Sequence, residues 1–296
     1  MRKDIRQSTK FAVFMKSLGW QVKKINTSLC YLRKMPLMSN FAKIPRSGEI
    51  YPLEEYKNFI RENNIFRLKL APLVASDSKK SQKKKDNILN SGFTVDMNPF
   101  NPTTTIVIDL KKPLDFIFNN FSQAKRRAVR RAVKNNIEVK ISSDIESFIK
   151  VRQRQYFPFG FLINKETRNV WQSFAPQNAA LLLAYQNKIR SHPQHNLARA
   201  NNCWEKPVAG ILLLFYDNIA YYWFASSFKK GKQLFAPTLL VWEALKLAKK
   251  RGCAVFDFEG IYDPRFPKAA ESWKGFTRFK EGFGGKKIVF MENFYL

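Results

Sequence analysis

The sequence predicts a folded α+β protein, a mixed sheet flanked by helices, on three observations. Hydrophobic residues make up 45% of the 296 residues and aromatics 15%, more core-forming side chain than a disordered basic chain carries. Residues 208–228, VAGILLLFYDNIAYYWFASSF, are two β-branched and aromatic runs divided by Asp217-Asn218, the pattern of a hairpin of buried strands. Strand-like and helix-like runs also follow the order β, α, β-meander, α, β, with a final strand.

The elements follow in order. Phe11, Phe14, Met15 and Leu18 share one helical face within 7–20, and Gly19 stops that helix. Strands are predicted at 20–25 and 28–33, a helix with an acidic first turn over 52–63, and a strand over 65–70. Residues 76–86, SDSKKSQKKKD, lack apolar periodicity and read as an exposed loop or helix start. Strands at 93–97 and 104–110 flank the turn-rich NPFNP. A helix over 114–135, a strand over 137–141 and helices near 144–155 and 165–174 come next. Strands at 179–185, 207–215 and 219–226 form the meander, with a polar insertion between 185 and 207 that is long for a compact domain. A helix over 238–251, a strand over 253–258 and a C-terminal strand over 286–291 complete the chain. Two copies of one α/β unit are compatible with this order.

The charge is large: 52 Lys+Arg against 23 Asp+Glu, a net +29. Residues 1–100, 101–200 and 201–296 contribute +12, +11 and +6 by count, so no detachable tail explains it. Such a surface attracts polyanions: nucleic acid, an anionic membrane face or phosphorylated substrates. Cys30, Cys203 and Cys253 are too few and scattered for a disulfide framework or four-ligand metal site. His192, His195 and Cys203 share a Pro-containing polar loop, and no metal is expected. The start, MRKDIRQSTK, has no signal-peptide core, and Asp217 near mid-span argues against 208–228 crossing a bilayer. A cytoplasmic protein, with possible peripheral contact at the inner membrane face, is expected.

Three segments carry chemistry. Within 122–136, SQAKRRAVRRAVKNN, Ala124, Ala128, Val129, Ala132 and Val133 form a narrow small-residue stripe beneath six cations. The like-charged pairs Arg126/Arg130 and Arg127/Arg131 each cost a few tenths of a kcal/mol, which an anionic partner offsets; the alternative is a solvated basic face. Residues 234–260 read as a well-capped helix, opened by Pro237 and closed by Gly252, leading to a strand that delivers Asp257. In FTRFKEGFGG (276–285), Lys280 lies among Phe276, Phe279 and Phe283, where a fixed cation suits a developing oxyanion.

Together, QSxxFxxFxxSLGW (Gln7–Trp20), KRRAVRRAxKxxIEV (Lys125–Val139), Ala236-Pro237, FDFEGI (Phe256–Ile261) and FKEGFGG (Phe279–Gly285) resemble the Fem (FemABX) peptidoglycan-bridge aminoacyltransferase family. The resemblance spans nearly the whole chain and is most specific over 236–285. It implies two tandem GNAT-like domains, each a mixed, mostly antiparallel sheet flanked by helices: 1–110, completed by the C-terminal strand 286–296, and 111–285. It implies transfer of an amino acid from aminoacyl-tRNA, a co-substrate with no further cofactor, to the stem peptide of a UDP-linked muropeptide or lipid II. By position it assigns Lys280 and Phe279 to the reacting centre. Tyr222 and Phe224 fall at channel-lining positions and Arg278 among the substrate-binding residues. Lys16 and Lys165 fall near phosphate-gripping positions. With tRNA as its anionic partner, the basic helix carrying Arg126, Arg127, Arg130, Arg131 and Lys134 is the expected tRNA-binding face. Where a relative carries an aspartate proposed for catalysis, this chain reads Leu68-Lys69-Leu70-Ala71-Pro72, and Ala71 accepts no proton.

Aminolysis of an ester is downhill and requires positioning plus oxyanion stabilisation rather than a nucleophilic Ser or Cys. Two other readings compete. An acyl-CoA-dependent GNAT N-acyltransferase needs a Q/R-x-x-G-x-G/A loop before a helix, and Phe228–Gln233 has the wrong residue at both ends. A non-enzymatic RNA-binding protein on a degenerate acyltransferase fold is favoured by Ala71.

Overall fold

A computed structural model of the chain describes residues 3–76, 79–187 and 206–296. In its first part α1 (Thr9–Ser17) precedes β1 (Gln21–Ile25), β2 (Ser28–Lys34) and β3 (Asn40–Ser47), and α2 (Leu53–Glu62) leads to β4 (Ile65–Pro72). Then come α3 (Lys79–Asn90), β5 (Thr94–Val95) and β6 (Thr104–Asp109). The second part runs through α4 (Leu114–Asn119), α5 (Gln123–Lys134), β7 (Ile137–Ser142), α6 (Ile145–Gln155), α7 (Asn164–Phe174) and β8 (Ala179–Gln186). It continues with β9 (Ala209–Tyr216), β10 (Ile219–Ser227), α8 (Lys229–Gln233), α9 (Ala236–Lys250) and β11 (Val255–Gly260). Last are α10 (Pro267–Ala270), α11 (Lys274–Glu281), β12 (Lys286–Val289) and β13 (Phe294–Tyr295).

These strands make a six-stranded sheet, β1-β2-β3-β4-β13-β5, and a seven-stranded sheet, β12-β6-β11-β10-β9-β8-β7. Each sheet has the same plan: an antiparallel meander, then a helical crossover to a parallel neighbour, β3 to β4 through α2 and β10 to β11 through α8 and α9. The expected mixed α/β architecture with repeated units is thus present. The β9–β10 hairpin turns on Asp217 and Asn218, both at positive φ (50° and 59°), which matches the twist of the flanking strands.

Three buried clusters hold the layers. One packs α5 and α9 on the seven-stranded sheet, with Phe121, Ala132, Leu240, Phe256 and Phe283 at its centre. The second joins the two halves, burying Ile5, Phe11 and Tyr31 against Phe148, Leu181, Leu214 and Tyr221. The third fills the six-stranded sheet around Leu32, Ile44, Tyr56 and Phe294. Cys30 and Cys253 are buried free thiols.

Several elements differ from the sequence reading. Strand β3 is not predicted, because Pro45 removes a ladder donor; an irregularity between Ile44 and Ser47, with Arg46 at φ 51°, accommodates it inside the sheet. The helix predicted over 114–135 is two helices, broken where the Ser122 side chain accepts from Lys125 N and caps α5. The charged run at 76–86 leads into α3. The strand read at 286–291 is β12, paired with β6 in the seven-stranded sheet, and the return to the other sheet is made by β13. Thr104–Asp109, read with the first domain, lies between β12 and β11 in the seven-stranded sheet, since its apolar face completes the core under α4. Among the described residues no helix is long and apolar enough to cross a membrane.

Candidate active site

The parallel pair β10/β11 opens. It is in register at Ile219↔Val255, Ala220↔Phe256 and Tyr221↔Asp257 and pairs no further, although β10 continues to Ser227. Two local devices accompany the divergence. A bulge at Trp223 shifts β10 against β9, so that Tyr222 faces Leu213 and Phe224 faces Leu212. On β11, pairing with β6 is irregular between Asp257 and Gly260, where Glu259 stands at φ 60°. An opening at the carboxyl ends of parallel strands is where α/β sheets receive ligands.

Lys280 of α11 enters beside this opening. It is buried, and its ammonium donates to the Gly260 carbonyl at 2.6 Å, satisfying a β11 acceptor beyond the last β10 pair. The same Nζ lies 4.8 Å from the Phe276 ring centre and 5.7 Å from that of Tyr222. Burial lowers its pKa to about 8, against the pull of the Glu259 and Asp257 carboxylates. Both acids are themselves held. Asp257 Oδ1 accepts from Thr105 Oγ1 (2.5 Å) and Glu259 N (2.9 Å), and Glu259 pairs with Arg6 at 2.5 Å. Burial pushes the Glu259 carboxyl up while Arg6 opposes it. Gly260 has no room for a side chain: a Cβ there would stand 2.6 Å from Trp273 and 2.9 Å from Pro102.

Next to the opening lies a cavity of about 460 Å³, lined among others by Tyr222, Ser226, Lys232, Phe235, Phe276 and Phe279. Burial raises the pKa of the Tyr222 hydroxyl, keeping it a neutral donor. Ser226 Oγ is buried without a hydrogen-bond partner among the described residues, a polar group suited to a ligand. Lys125 of α5 stacks over Phe279 at 3.7 Å, and burial lowers its pKa to about 8.

The residues singled out in the sequence divide accordingly. Lys280, Phe279 and Tyr222 come together. Phe224 does not join them: the Trp223 bulge breaks alternation, so Phe224 packs in the cluster between the two halves, with the Arg152 guanidinium 3.8 Å over its ring. Arg278 is exposed on α11, away from the cavity lining. Lys16 on α1 and Lys165 on α7 are also exposed; their helices pack together, with Asn169 Nδ2 donating to Ser17 O at 3.2 Å. On α5, Ala128, Val129 and Ala132 are buried, whereas Ala124 and Val133 are exposed. Arg127, Arg130, Arg131 and Lys134 are exposed too, and Arg131 lies 5.7 Å from the Phe235 ring at the cavity. Arg126 is spent on the fold: its NH1 donates to Asn119 O and Phe121 O at the end of α4.

Three wholly or partly buried cations escaped sequence reasoning. Lys125 reads as one more cation of the helix, and nothing in the sequence marks Arg152. Yet Arg152 is buried, and among the described residues neither its Nε nor Trp223 Nε1 has a hydrogen-bond partner. Lys43 is the third: it sits 4.2 Å over Trp20, with burial lowering its pKa to about 8, and shares with Arg152 the field of Glu166. Ala71 is fully buried on β4. Among the described residues no group of three or more His, Cys, Asp or Glu is arranged to hold a metal ion, and His192, His195 and Cys203 lie outside them.

Two meander-and-crossover sheets, one with its parallel pair opened, define a tandem GNAT-like fold. Similar folds include FemX, at 18% identity, TM-score 0.78, covering 99% of this chain and 92% of that one. L-PGS from Bacillus licheniformis matches at 10% identity and TM-score 0.58, covering 100% and 93%. A tandem GNAT protein from the clavulanic acid biosynthesis pathway matches at 10% identity and TM-score 0.55, covering 91% and 78%. Residues 178–296 match the model of the FemAB family, so the Fem resemblance carried by the motifs stands over the segment holding the hairpin, the opening and α11. No curated protein sequence matches the chain.

Proposed function

We propose that the protein is an aminoacyltransferase that moves an amino acid from aminoacyl-tRNA to the amine of a peptidoglycan-precursor stem peptide. The observation that carries this reading is Lys280, a buried cation fixed on the Gly260 carbonyl at the β10/β11 opening beside Tyr222 and Phe279. With a pKa of about 8 it is mostly an ammonium at neutral pH. Such a cation, shielded from water, stabilises the tetrahedral oxyanion formed when the acceptor amine attacks the ester. Tyr222 and Phe279 shape the wall against which the ester and the amine are held. The amine loses its proton as the carbon–nitrogen bond forms, and the tRNA hydroxyl leaves with a proton, so no covalent enzyme intermediate is needed.

The polyanionic partners agree with the charge. The exposed arginines of α5 lead to the cavity through Arg131 and Phe235, a path suited to a nucleic-acid strand whose 3′ end enters the site. The acyl-CoA reading fares less well. Gly231 is required by packing, since a Cβ would lie 2.4 Å from the Val208 carbonyl, and Pro237 removes an amide donor from the first turn of α9. Pro237 thus leaves one backbone donor fewer for a pyrophosphate, and Gly231 is accounted for by packing alone.

The test is incubation with charged tRNA pools and muropeptide precursors, followed by mass spectrometry of the peptide. A mass increase of one amino-acid residue, dependent on charged tRNA, is expected. No transfer, together with heat release on titration with acetyl-CoA, would replace the reading with the acyl-CoA one. No transfer and salt-dependent binding of uncharged RNA would leave a binding protein.

A further inference from the structure

The turn that joins α6 to α7 turns its apolar side chains outward. Phe157 is 84% exposed, Phe159 67%, Phe161 62% and Leu162 65%. This is not a loose tail. Gly160 in its middle is buried so tightly on α6 that a Cβ would stand 2.2 Å from the Gln153 carbonyl, and Thr167 Oγ1 ties α7 back to Ile163 O at 2.7 Å. A backbone pinned this closely, with four large apolar side chains facing water, marks a contact surface.

Its surroundings identify the partner. Arg154 at the end of α6 lies 5.3 Å from the Phe228 ring, and Gln155 Oε1 accepts from Ser227 N at 2.9 Å, so α8 stands beside the turn. Arg154, Lys229, Lys230 and Lys165 are all exposed there. The sequence has no acid between Glu146 and Glu166, or between Asp217 and Glu243. An apolar knob with a rim of exposed cations, its neighbouring acid Glu166 half-buried and in the field of Arg152 and Lys43, complements an anionic lipid surface, where aromatic rings enter the headgroup region and lysines meet phosphates. A second copy of the chain would bring the same cationic rim and a net +29 against it, which opposes self-association.

We infer that residues 156–162 dock the protein on an anionic phospholipid bilayer. Gln155, adjoining the turn, also lines the cavity beside Lys280, so docking sets that cavity at headgroup level. The consequence, an acceptor amine carried on a lipid, rests on the aminoacyl-transfer reading; the docking itself does not.

The experiment is co-sedimentation of the full chain with phosphatidylglycerol vesicles and with phosphatidylcholine vesicles. Binding to the first and not the second is expected. Phe157→Ser/Phe159→Ser/Phe161→Ser lowers that binding roughly tenfold or more at physiological salt, with an unchanged circular dichroism spectrum. Lys229→Gln/Lys230→Gln weakens it mainly at low salt. Phe159→Trp keeps the turn's character and shows a blue-shifted emission on phosphatidylglycerol vesicles, a readout that survives if the triple variant misfolds. No vesicle binding, no blue shift, or concentration-dependent dimerisation that the triple variant abolishes overturns the proposal. Transfer to a soluble muropeptide without vesicle binding refutes the docking alone. Vesicle binding without transfer on any acceptor refutes the aminoacyl-transfer reading alone.

Discussion

The two parallel pairs of the molecule share a connection and differ in how they end. β3 and β4 stay paired from Asn40↔Ile65 to Ser47↔Pro72, with two shifts of register, and bury Ala42, Ile44, Leu68 and Leu70. β10 and β11 part after three positions. Where the first pair is closed by small and aliphatic side chains, the second is held open by the Trp223 bulge, the Glu259 backbone and the Lys280 ammonium on the Gly260 carbonyl. The closed pair is scaffold and the open pair the candidate site. This also explains why Ala71 is tolerated: on β4 it lies inside the closed pair's buried end, where an unpaired carboxylate would be costly.

The largest expected effect comes from removing the cation that marks the open pair. Lys280→Met is expected to lower the transfer rate about 10²–10³-fold, the cost of one oxyanion-stabilising group, measured by the mass-spectrometric rate. Lys280→Arg cannot restore it, because the larger planar head does not fit the place of an ammonium beneath Phe276. A variant that keeps the wild-type rate makes the opening a packing accident.

The pH dependence separates the same residue's two roles. If the ammonium is the working form, transfer falls as pH rises through about 8, the value to which burial lowers Lys280. Stability moves the other way. The folded pKa lies below the ordinary 10.5, so the unfolded chain binds more protons between 8 and 10.5 and stability rises with pH across that window. Lys43 and Lys125, also lowered to about 8, add to the rise, so the Lys280 share is the difference between wild type and Lys280→Met in urea unfolding at several pH values. Equal slopes in the two proteins would return Lys280 to an ordinary solvated lysine.

Gly260→Ala sharpens the geometry of the opening. The added methyl meets Trp273 and Pro102 at under 3 Å, an overpacking that costs about 1–3 kcal/mol, read as a lowered urea midpoint. Gly275→Ala, on α11 with nothing within 4 Å, is the control and should leave the midpoint unchanged or raised.

How much of this the sequence reveals depends on whether a feature is periodic. The hairpin and the capped αβ unit over 234–260 follow from local pattern and turn chemistry, and the structure has both; of the five-residue stripe of α5 it buries Ala128, Val129 and Ala132 and leaves Ala124 and Val133 exposed. The opening does not. It depends on one residue inserted at Trp223, in a strand of uniform aromatic character, and on a positive φ carried by Glu259 rather than by glycine. The same insertion misdirects Phe224, which strict alternation places beside Tyr222. Arg152 and Lys125 were illegible for another reason: burial of a cation on a helix depends on what packs over it, here Phe224 and Phe279 from distant parts of the chain.

The smallest effect concerns the exposed charge of α5, and it tests whether that charge has a partner at all. Arg127, Arg130 and Arg131 are free of the carbonyl bonds that hold Arg126. If they lie on nucleic-acid phosphates, Arg127→Gln/Arg130→Gln/Arg131→Gln reduces the slope of log affinity for RNA against log salt by about 2, at roughly 0.7 per single-strand phosphate. Arg126→Gln leaves that slope in place and instead costs about 1–2 kcal/mol of stability, from two carbonyls left without their donor. Filter binding across a salt series and urea unfolding read the two effects separately. An unchanged slope in the triple variant makes the basic face of α5 a solvated surface. It would also move the search for the nucleic-acid path away from Phe235 and the cavity mouth.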